Sequence, residues 1–387
     1  MPEDVSSNEP LAYLFKIVDG PSYTTDELIP TLQLLSERFT GELWSYGAYQ
    51  ADIEVGRMRL RVVKDRTRNR FWNFLRFSHQ VMKRARELQA SKPSRVVVTS
   101  YDPFKGGLLA LRISRLLRCA FVCEVNGQYS NPDNFADNTA LWRRFRLLQM
   151  HVQGSFVLHR ADGVRLLFAE QLKNFATLRP HTVLRHFFAL SFTHRFHPAP
   201  EEPFVLSAGF PFRRKGLDTL VSAFTRLAAK YPEWKLVLIG HRVPEQLRGA
   251  GMEHPKIEAL PGMPQAQLAP WMMRCAILAL TSRSEAMGRV LLEAAAAEKC
   301  RIATRVGGIP TVVENGFDGL LVGKGNVDEL TAGLDTLMGD PALRHRFGVA
   351  ARERTEHEFS SACYLKLFEE LISASLSAFT ARAPSRT

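Results

Sequence analysis

Cysteine is scarce in this chain: five residues among 387, at positions 119, 123, 275, 300 and 363. An odd, scattered set excludes a disulfide-built scaffold, and Cys119 with Cys123 has no second Cys or His pair at zinc-site spacing. Buried free thiols in a reducing cytosol are the expectation. No apolar run approaches the roughly 18 residues that a membrane-crossing helix needs. The opening MPEDVSSNEP is acidic and polar, unlike a secretory signal. No Asp-x-Asp triplet occurs anywhere, so a divalent metal held by paired aspartates is not expected and no residue is assigned to a metal. Short-period repeats are absent too. So are helix-turn-helix, RRM and zinc patterns, which leaves no nucleic acid among the expected partners.

What is present suits a large soluble protein. A chain of 387 residues with 45% hydrophobic and 23% charged residues is long enough for two cores. The formal charge of +12 is uneven: residues 1–200 hold 28 Lys and Arg against 18 Asp and Glu, and the rest hold 23 against 21. An excess confined to one half points to a local anionic partner.

From Phe204 onward short apolar runs alternate with helical spacing. FVLSAG (204–209), KLVLIG (235–240), KIEALPG (256–262), AILALTS (276–282) and RIATRVGG (301–308) read as strands. Leu217, Leu220, Val221, Phe224, Leu227 and Ala228 recur at helical spacing. In the first half LAYLFKIV (11–18), RVVVTS (95–100), AFVCEVNG (120–127) and GVRLLFA (163–169) are strand candidates, with helical patterns around 105–118 and 138–160. This alternation implies parallel βαβ units with right-handed crossovers. The expected fold is α/β: two Rossmann-like, doubly wound domains facing a cleft, with ligands outside the carboxyl ends of the strands. Residues 1–195 are assigned to an acceptor-side domain and 203–360 to a nucleotide-binding one, with HRFHPAPEEP (194–203) as linker. Tyr364, Leu365, Phe368, Leu371, Ile372 and Phe379 mark a terminal helix over 361–380, expected to pack across both domains.

The stretch SRSEAMGRVLLEAAAAE (282–298) carries the chemistry. Two glutamates, Glu285 and Glu293, bracket the point where a strand should become a helix. Gly288 permits a close turn, and RVLLEAAAA is a strong helix former. The N–H groups of Gly288, Arg289 and Val290 would then stand at a helix N-terminus, where a diphosphate is favoured. Glu285 falls on the loop before that helix and Glu293 in its second turn, so the two acids flank one anion site. One can face a sugar and the other a ribose. The plainer alternative is a surface glutamate beside an Arg289–Glu293 helix pair that stabilises by about 0.2–0.5 kcal/mol.

SAGFPFRRKGLDTLVSAF, KLVLIGHR, SEAMGRVLLEA and IATRVGGIPTVVENGFDGLLV follow one another in that order. Together they resemble the retaining nucleotide-sugar glycosyltransferases of family four, which have the two-domain GT-B fold. The resemblance covers about Val205 to Phe359. It implies that Glu285 meets the donor sugar's hydroxyls and that Glu293 takes the ribose hydroxyls. Met287, Gly288, Arg289 and Val290 would hold the phosphates and Lys215 would grip the pyrophosphate. Gly209, Gly240 and the segment around Met263 would line the nucleotide. The implied donor substrate is a UDP- or GDP-sugar, with no cofactor besides it. Cations and helix N–H groups aimed at the departing diphosphate supply the main stabilisation such a reaction needs.

The match departs from the family at several positions. Members have an arginine directly after the glycine of the first strand of this domain, where Phe210 stands here. Arg213 or Arg214 can substitute, since Arg grips phosphate bidentately, or both are solvated loop charges. Glu298 and Cys300 replace the family's Gly and Pro in a helix-to-strand turn. In the first half the glycine-rich loop is replaced by KIVDGPSYTTDELIP (16–30). Asn126 stands where the family often has a histidine. It either bonds a sugar hydroxyl at the catalytic centre or is the turn residue of an Asn-Gly step. Asp102 is a further acceptor-side candidate.

The excess charge is concentrated in residues 57–87, which hold eleven basic residues interleaved with Phe71, Trp72, Phe74 and Phe77, and again in LWRRFRLLQMHVQ (141–153). Aromatic residues between cations suit a helix on an anionic membrane surface. They equally suit a core-facing stripe with a solvated basic back. The expected function is transfer of a sugar, with retention, from a nucleotide-diphosphate donor to a glycan or polyprenyl-linked acceptor. Surface polysaccharide assembly is the setting, in the cytoplasm or on the inner membrane face. The alternatives are an inactive binding scaffold of the same fold, a nucleotide-sugar epimerase or a phosphorylase.

Overall fold

A computed structural model of the chain describes residues 9–18, 25–91, 93, 95–129, 131–135, 139–174, 181–183 and 196–382. Met1–Gly127, Leu148–Arg185 and Ser361–Thr387 form one compact unit, and Gln128–Leu147 with His186–Ser360 a second. The segment 128–147, read from sequence as part of the first domain, therefore clusters with the second.

In chain order the first half contains β1 (Tyr13–Ile17), α1 (Thr25–Leu35), β2 (Thr40–Gly47), β3 (Ala51–Val55), β4 (Met58–Lys64), α2 (Arg70–Ser91), β5 (Val96–Ser100), α3 (Lys105–Leu117), β6 (Ala120–Val125), α4 (Ala140–Leu158), β7 (Gly163–Leu166) and β8 (His181–Val183). The strands lie in the order β3-β4-β2-β1-β5-β6-β7-β8. Among the described strands only β3 runs antiparallel to its neighbour, β4. The four sequence-read strands fall on β1, β5, β6 and β7. The hairpin was not anticipated, because its cations read as part of a basic helix. In β4, Met58, Leu60 and Val62 are buried while Arg59 and Arg61 alternate with them, the period-two pattern of a strand. Arg59 pairs with Asp52 at 2.8 Å, and the Arg61 guanidinium lies 5.2 Å from the Trp44 ring centroid.

The second half runs β9 (Glu202–Ala208), α5 (Leu217–Leu227), β10 (Lys235–Ile239), α6 (Val243–Gly249), β11 (Ile257–Leu260), α7 (Gln265–Arg274), β12 (Cys275–Leu280), α8 (Arg289–Ala296), β13 (Cys300–Thr304), α9 (Ile309–Val312), β14 (Leu320–Val322), α10 (Val327–Gly339), α11 (Pro341–Glu358) and α12 (Ser361–Arg382). Its six strands are all parallel, ordered β11-β10-β9-β12-β13-β14. Strand order reverses between β9 and β12, the switch point at which doubly wound sheets open a crevice at their carboxyl ends. Leu217, Leu220, Val221, Phe224, Leu227 and Ala228 are buried in the core between α5 and this sheet. The terminal helix α12, expected to pack across both domains, clusters with the first unit. It lies on β6, β7, β8 and α1, with Phe368 edge-on to Phe39.

Candidate functional site

The two loops that leave the switch point, after β9 and after β12, carry most of the expected residues. At Gly209 the backbone takes φ 146°, and a side-chain carbon there would sit 2.8 Å from Lys215 Cε. Its absence lets the lysine chain cross the strand end. Lys215 Nζ then donates to Glu285 Oε2 at 2.5 Å, with the two side chains only 14% and 16% exposed. The Ser282 hydroxyl donates to the same oxygen at 3.3 Å. Burial pushes the Glu285 carboxyl up. The charge and hydrogen bond of Lys215, the charge of Arg214 and the Ala286 N–H outweigh it and hold the group below its ordinary value. At neutral pH Glu285 is therefore an ionised carboxylate, a pure hydrogen-bond acceptor.

Neighbouring loops hold this pair in place. The Thr281 hydroxyl lies 3.0 Å from the carbonyls of Lys215 and Gly216. Arg283 donates to the Arg213 carbonyl at 2.6 Å and grips Asp218 through both carboxylate oxygens at 2.7 and 2.8 Å, while its backbone N–H reaches Arg214 O at 2.7 Å. Behind Glu285, Gly307 adopts φ 54°, and a side-chain carbon on it would fall 1.8 Å from the Glu285 carbonyl. The Gly308 N–H donates to Ala286 O at 2.8 Å. Sequence reasoning missed Thr281, Arg283 and Gly307 as supports. The glycine pair in RIATRVGG was the one available signal.

α8 opens on Gly288, which has φ 77° and no side-chain cap. A side-chain carbon on Gly288 would meet Leu280 at 2.7 Å, so strand end and helix start pack directly together. Met287 is buried. Glu293 lies in the second turn of α8, as expected. It is buried, accepts from Gln265 Nε2 at 3.0 Å and pairs with Arg289 Nε at 3.1 Å. Gln265 starts α7, two residues beyond Met263, and so couples the Met263 segment to Glu293. Gly240 packs against Gly209, with 2.3 Å from an added carbon to Gly209 O. The ends of β9 and β10 are thereby drawn close enough that only glycine fits.

Other expected residues are placed differently. Arg214 contributes to the field on Glu285 and donates to Phe210 O at 3.1 Å. Arg213 is exposed and, with Asp218, lines an open cavity of about 500 Å³ that includes neither Lys215 nor Glu285. Of the two candidate replacement cations, Arg214 is the one at the acid. Phe210 is half-exposed, edge-on to His241 with ring centroids 5.3 Å apart. Asn126 belongs to the first unit, where both amide atoms of its side chain are engaged. Nδ2 donates to Tyr101 O at 2.7 Å, and Oδ1 accepts from Arg165. Arg165 and Lys16 both pair with Glu124, and all three are buried. Asn126 thus ties a strand-end loop to a buried charge cluster, which competes with the hydroxyl contact expected of it. Asp102 closes its own turn by accepting from the Phe104 N–H at 2.6 Å. Among the described residues no group of three His, Cys, Asp or Glu side chains is placed to hold a metal ion, and no helix is long and apolar enough to cross a membrane.

Residues 192–354 match the family model for glycosyl transferases group 1. The matched span falls within the second unit. The chain is similar to the D-inositol 3-phosphate glycosyltransferase of Kribbella flavida, 33% identical over 158 residues, 37% of each chain. It also resembles the exopolysaccharide phosphotransferase of Streptomyces coelicolor, 31% identical over 163 residues, 41% of this chain and 17% of that one. The match therefore spans well under half of either relative. Among solved structures, Anabaena HepE in complex with UDP and glucose aligns with TM-score 0.71 at 16% identity, covering 94% of this chain and 99% of that one. Sucrose-phosphate synthase from Thermosynechococcus elongatus aligns with TM-score 0.74 at 17% identity, covering 94% and 100%. The chain has the GT-B fold of two Rossmann-like domains, with the Lys215–Glu285 pair at the switch point of the second unit.

Proposed function

We propose that this protein is a retaining glycosyltransferase that moves a hexosyl group from a UDP- or GDP-sugar to a glycan or polyprenyl-linked acceptor in surface polysaccharide assembly. The observation that carries the reading is the Lys215–Glu285 pair beside the uncapped, Gly288-led start of α8. A diphosphate seated on that helix start meets the backbone of 287–290 and the cations Lys215 and Arg214, while Glu285 accepts from the sugar's hydroxyls. Glu293, steadied by Gln265 and Arg289, accepts from the ribose. The bond from the anomeric carbon to the diphosphate oxygen breaks through an oxocarbenium-like state. The acceptor hydroxyl adds on the same face, and its proton passes to the departing phosphate oxygen. Positioning and charge complementarity supply the acceleration. The likeness to HepE, solved with UDP and glucose, supports the donor class.

The acceptor side is proposed to work at an anionic membrane surface. Arg66, Arg68 and Arg70 are exposed beside exposed Phe71 and Trp72 at the start of α2, whereas Phe77 is core. Asn73 fixes this basic corner by accepting from the N–H groups of Arg66 and Thr67 at 3.2 Å. A binding scaffold without turnover is the second reading, favoured by Phe210 in place of the family's arginine. Incubation with UDP- and GDP-sugars plus a lipid-linked glycan acceptor, with the product anomer read by NMR, tests both. Turnover with an inverted anomer overturns retention, and donor binding without any turnover favours the scaffold.

A further inference from the structure

Helix α4 presents an apolar stripe that the described residues leave uncovered. Leu141, Phe145, Leu148, Val152 and Phe156 are between 42% and 81% exposed. Their steps of four, three, four and four residues keep them on one side of the helix. The buried residues of α4 are Gly154, Val157 and Leu158, all near its end. Most surface helices turn such a stripe inward, so five large apolar side chains in one outward row call for a partner. The charges on the same helix say which kind. Arg144, exposed, borders the stripe and exposed Arg160 follows it, while Arg143 and Arg146 are half-buried, and no acidic residue occurs from 140 to 160. Trp142, half-exposed at the flank, has the Arg146 guanidinium 5.4 Å from its ring centroid.

We infer that α4 lies flat on an anionic lipid surface, its stripe among the acyl chains and the exposed Arg144 and Arg160 at the headgroup phosphates. An outward apolar row flanked by cations, on a helix without acids and not apolar enough to span, has the form of an interfacial helix. Trp142 suits the boundary, where an amphipathic ring sits at headgroup level. A second copy of this chain fits less well, because pairing two acid-free helices sets arginine against arginine. The inference rests on the glycosyltransferase reading for its purpose, which is to hold the enzyme where a lipid-linked acceptor resides. Its geometry stands without that reading.

The test uses the full chain and vesicles of phosphatidylcholine with or without phosphatidylglycerol, at about 0.15 M and about 1 M salt. The wild type should sediment with the anionic vesicles and keep part of that binding at high salt, since insertion of the stripe is not screened. Phe145→Ser/Leu148→Ser/Val152→Ser should lower partitioning roughly tenfold or more while leaving Tm and the thermal shift given by UDP or GDP unchanged. Hydrogen exchange on the unmutated protein should show residues 140–158 protected when anionic vesicles are added, a result that needs no variant to fold. Vesicle binding unaffected by the triple change, no protection of α4, or no vesicle binding at all overturns the proposal. A wild-type dimer that the triple variant breaks, without lipid binding, overturns it in favour of a second copy. The vesicle arms contain no nucleotide, so failure to bind UDP or GDP would sink the donor reading and leave this result standing.

Discussion

Replacing Lys215 by methionine tests the electrostatics of the site without assuming any substrate. At 2.5 Å two unit charges attract by about 7 kcal/mol at an effective dielectric constant of ~20. Desolvation of two mostly buried groups offsets much of that, and a charge-assisted hydrogen bond retains about 1.5–3 kcal/mol net. Arg214 stays in the variant and continues to favour the Glu285 carboxylate, so a loss of about 2 kcal/mol at pH 7 is expected. The pH dependence has a definite sign. The folded carboxyl lies below its ordinary value, so its stabilisation is complete above about pH 4.3 and disappears as pH falls through the folded value. Urea unfolding of the wild type, Lys215→Met, Glu285→Gln and the double variant should give a coupling of about 2 kcal/mol at pH 7 that shrinks towards pH ~3.5. A coupling below about 0.5 kcal/mol at pH 7, or one equal at both pH values, would refute the reasoning.

Three further outcomes follow from other parts of the molecule. Gly307→Ala should destabilise the second unit by more than about 1 kcal/mol, because the added carbon meets the Glu285 carbonyl in a left-handed backbone; an unchanged melting temperature would contradict the contact. Sugar transfer should persist in EDTA yet fall severely in Lys215→Ala, and a full loss on chelation that added metal reverses would show that the charge is met otherwise. Arg66→Ser/Arg68→Ser/Arg70→Ser/Arg76→Ser should weaken binding to anionic vesicles at physiological salt and spare UDP or GDP binding. Equal sedimentation with neutral and anionic vesicles would mean that this corner is merely solvated.

The second unit was the more legible half. Its buried parallel strands are short continuous apolar runs, and FVLSAG, KLVLIG, AILALTS and RIATRVGG match β9, β10, β12 and β13 to within four residues at either end. β14, only three residues long, gives too short a run to register. The β3–β4 hairpin was hidden because charge density masked alternation: Arg59 and Arg61 read as a basic run, though the apolar residues between them mark a strand. The acids and the glycine-led helix start were readable because they lie within one strand-to-helix connection. Their supports were not. Gln265 meets Glu293 across 28 positions and Arg283 meets Asp218 across 65, and no local spacing reveals such pairings. Asn126 illustrates the opposite limit: the sequence places it at a strand end, but only the structure shows Arg165 and Tyr101 engaging its amide.

The central claim is that the β9–β12 crevice of the second unit binds a nucleoside-diphosphate sugar. Calorimetric titration of the full chain with UDP-, GDP- and ADP-sugars, in the wild type and in Glu293→Ala, tests it most directly. One nucleotide series should saturate the wild type. Glu293→Ala should bind that series more weakly by about 1.5–3 kcal/mol, roughly ten- to hundredfold, with an unchanged circular dichroism spectrum. Equal affinity in the two proteins, or no nucleotide bound by the wild type, would contradict the account.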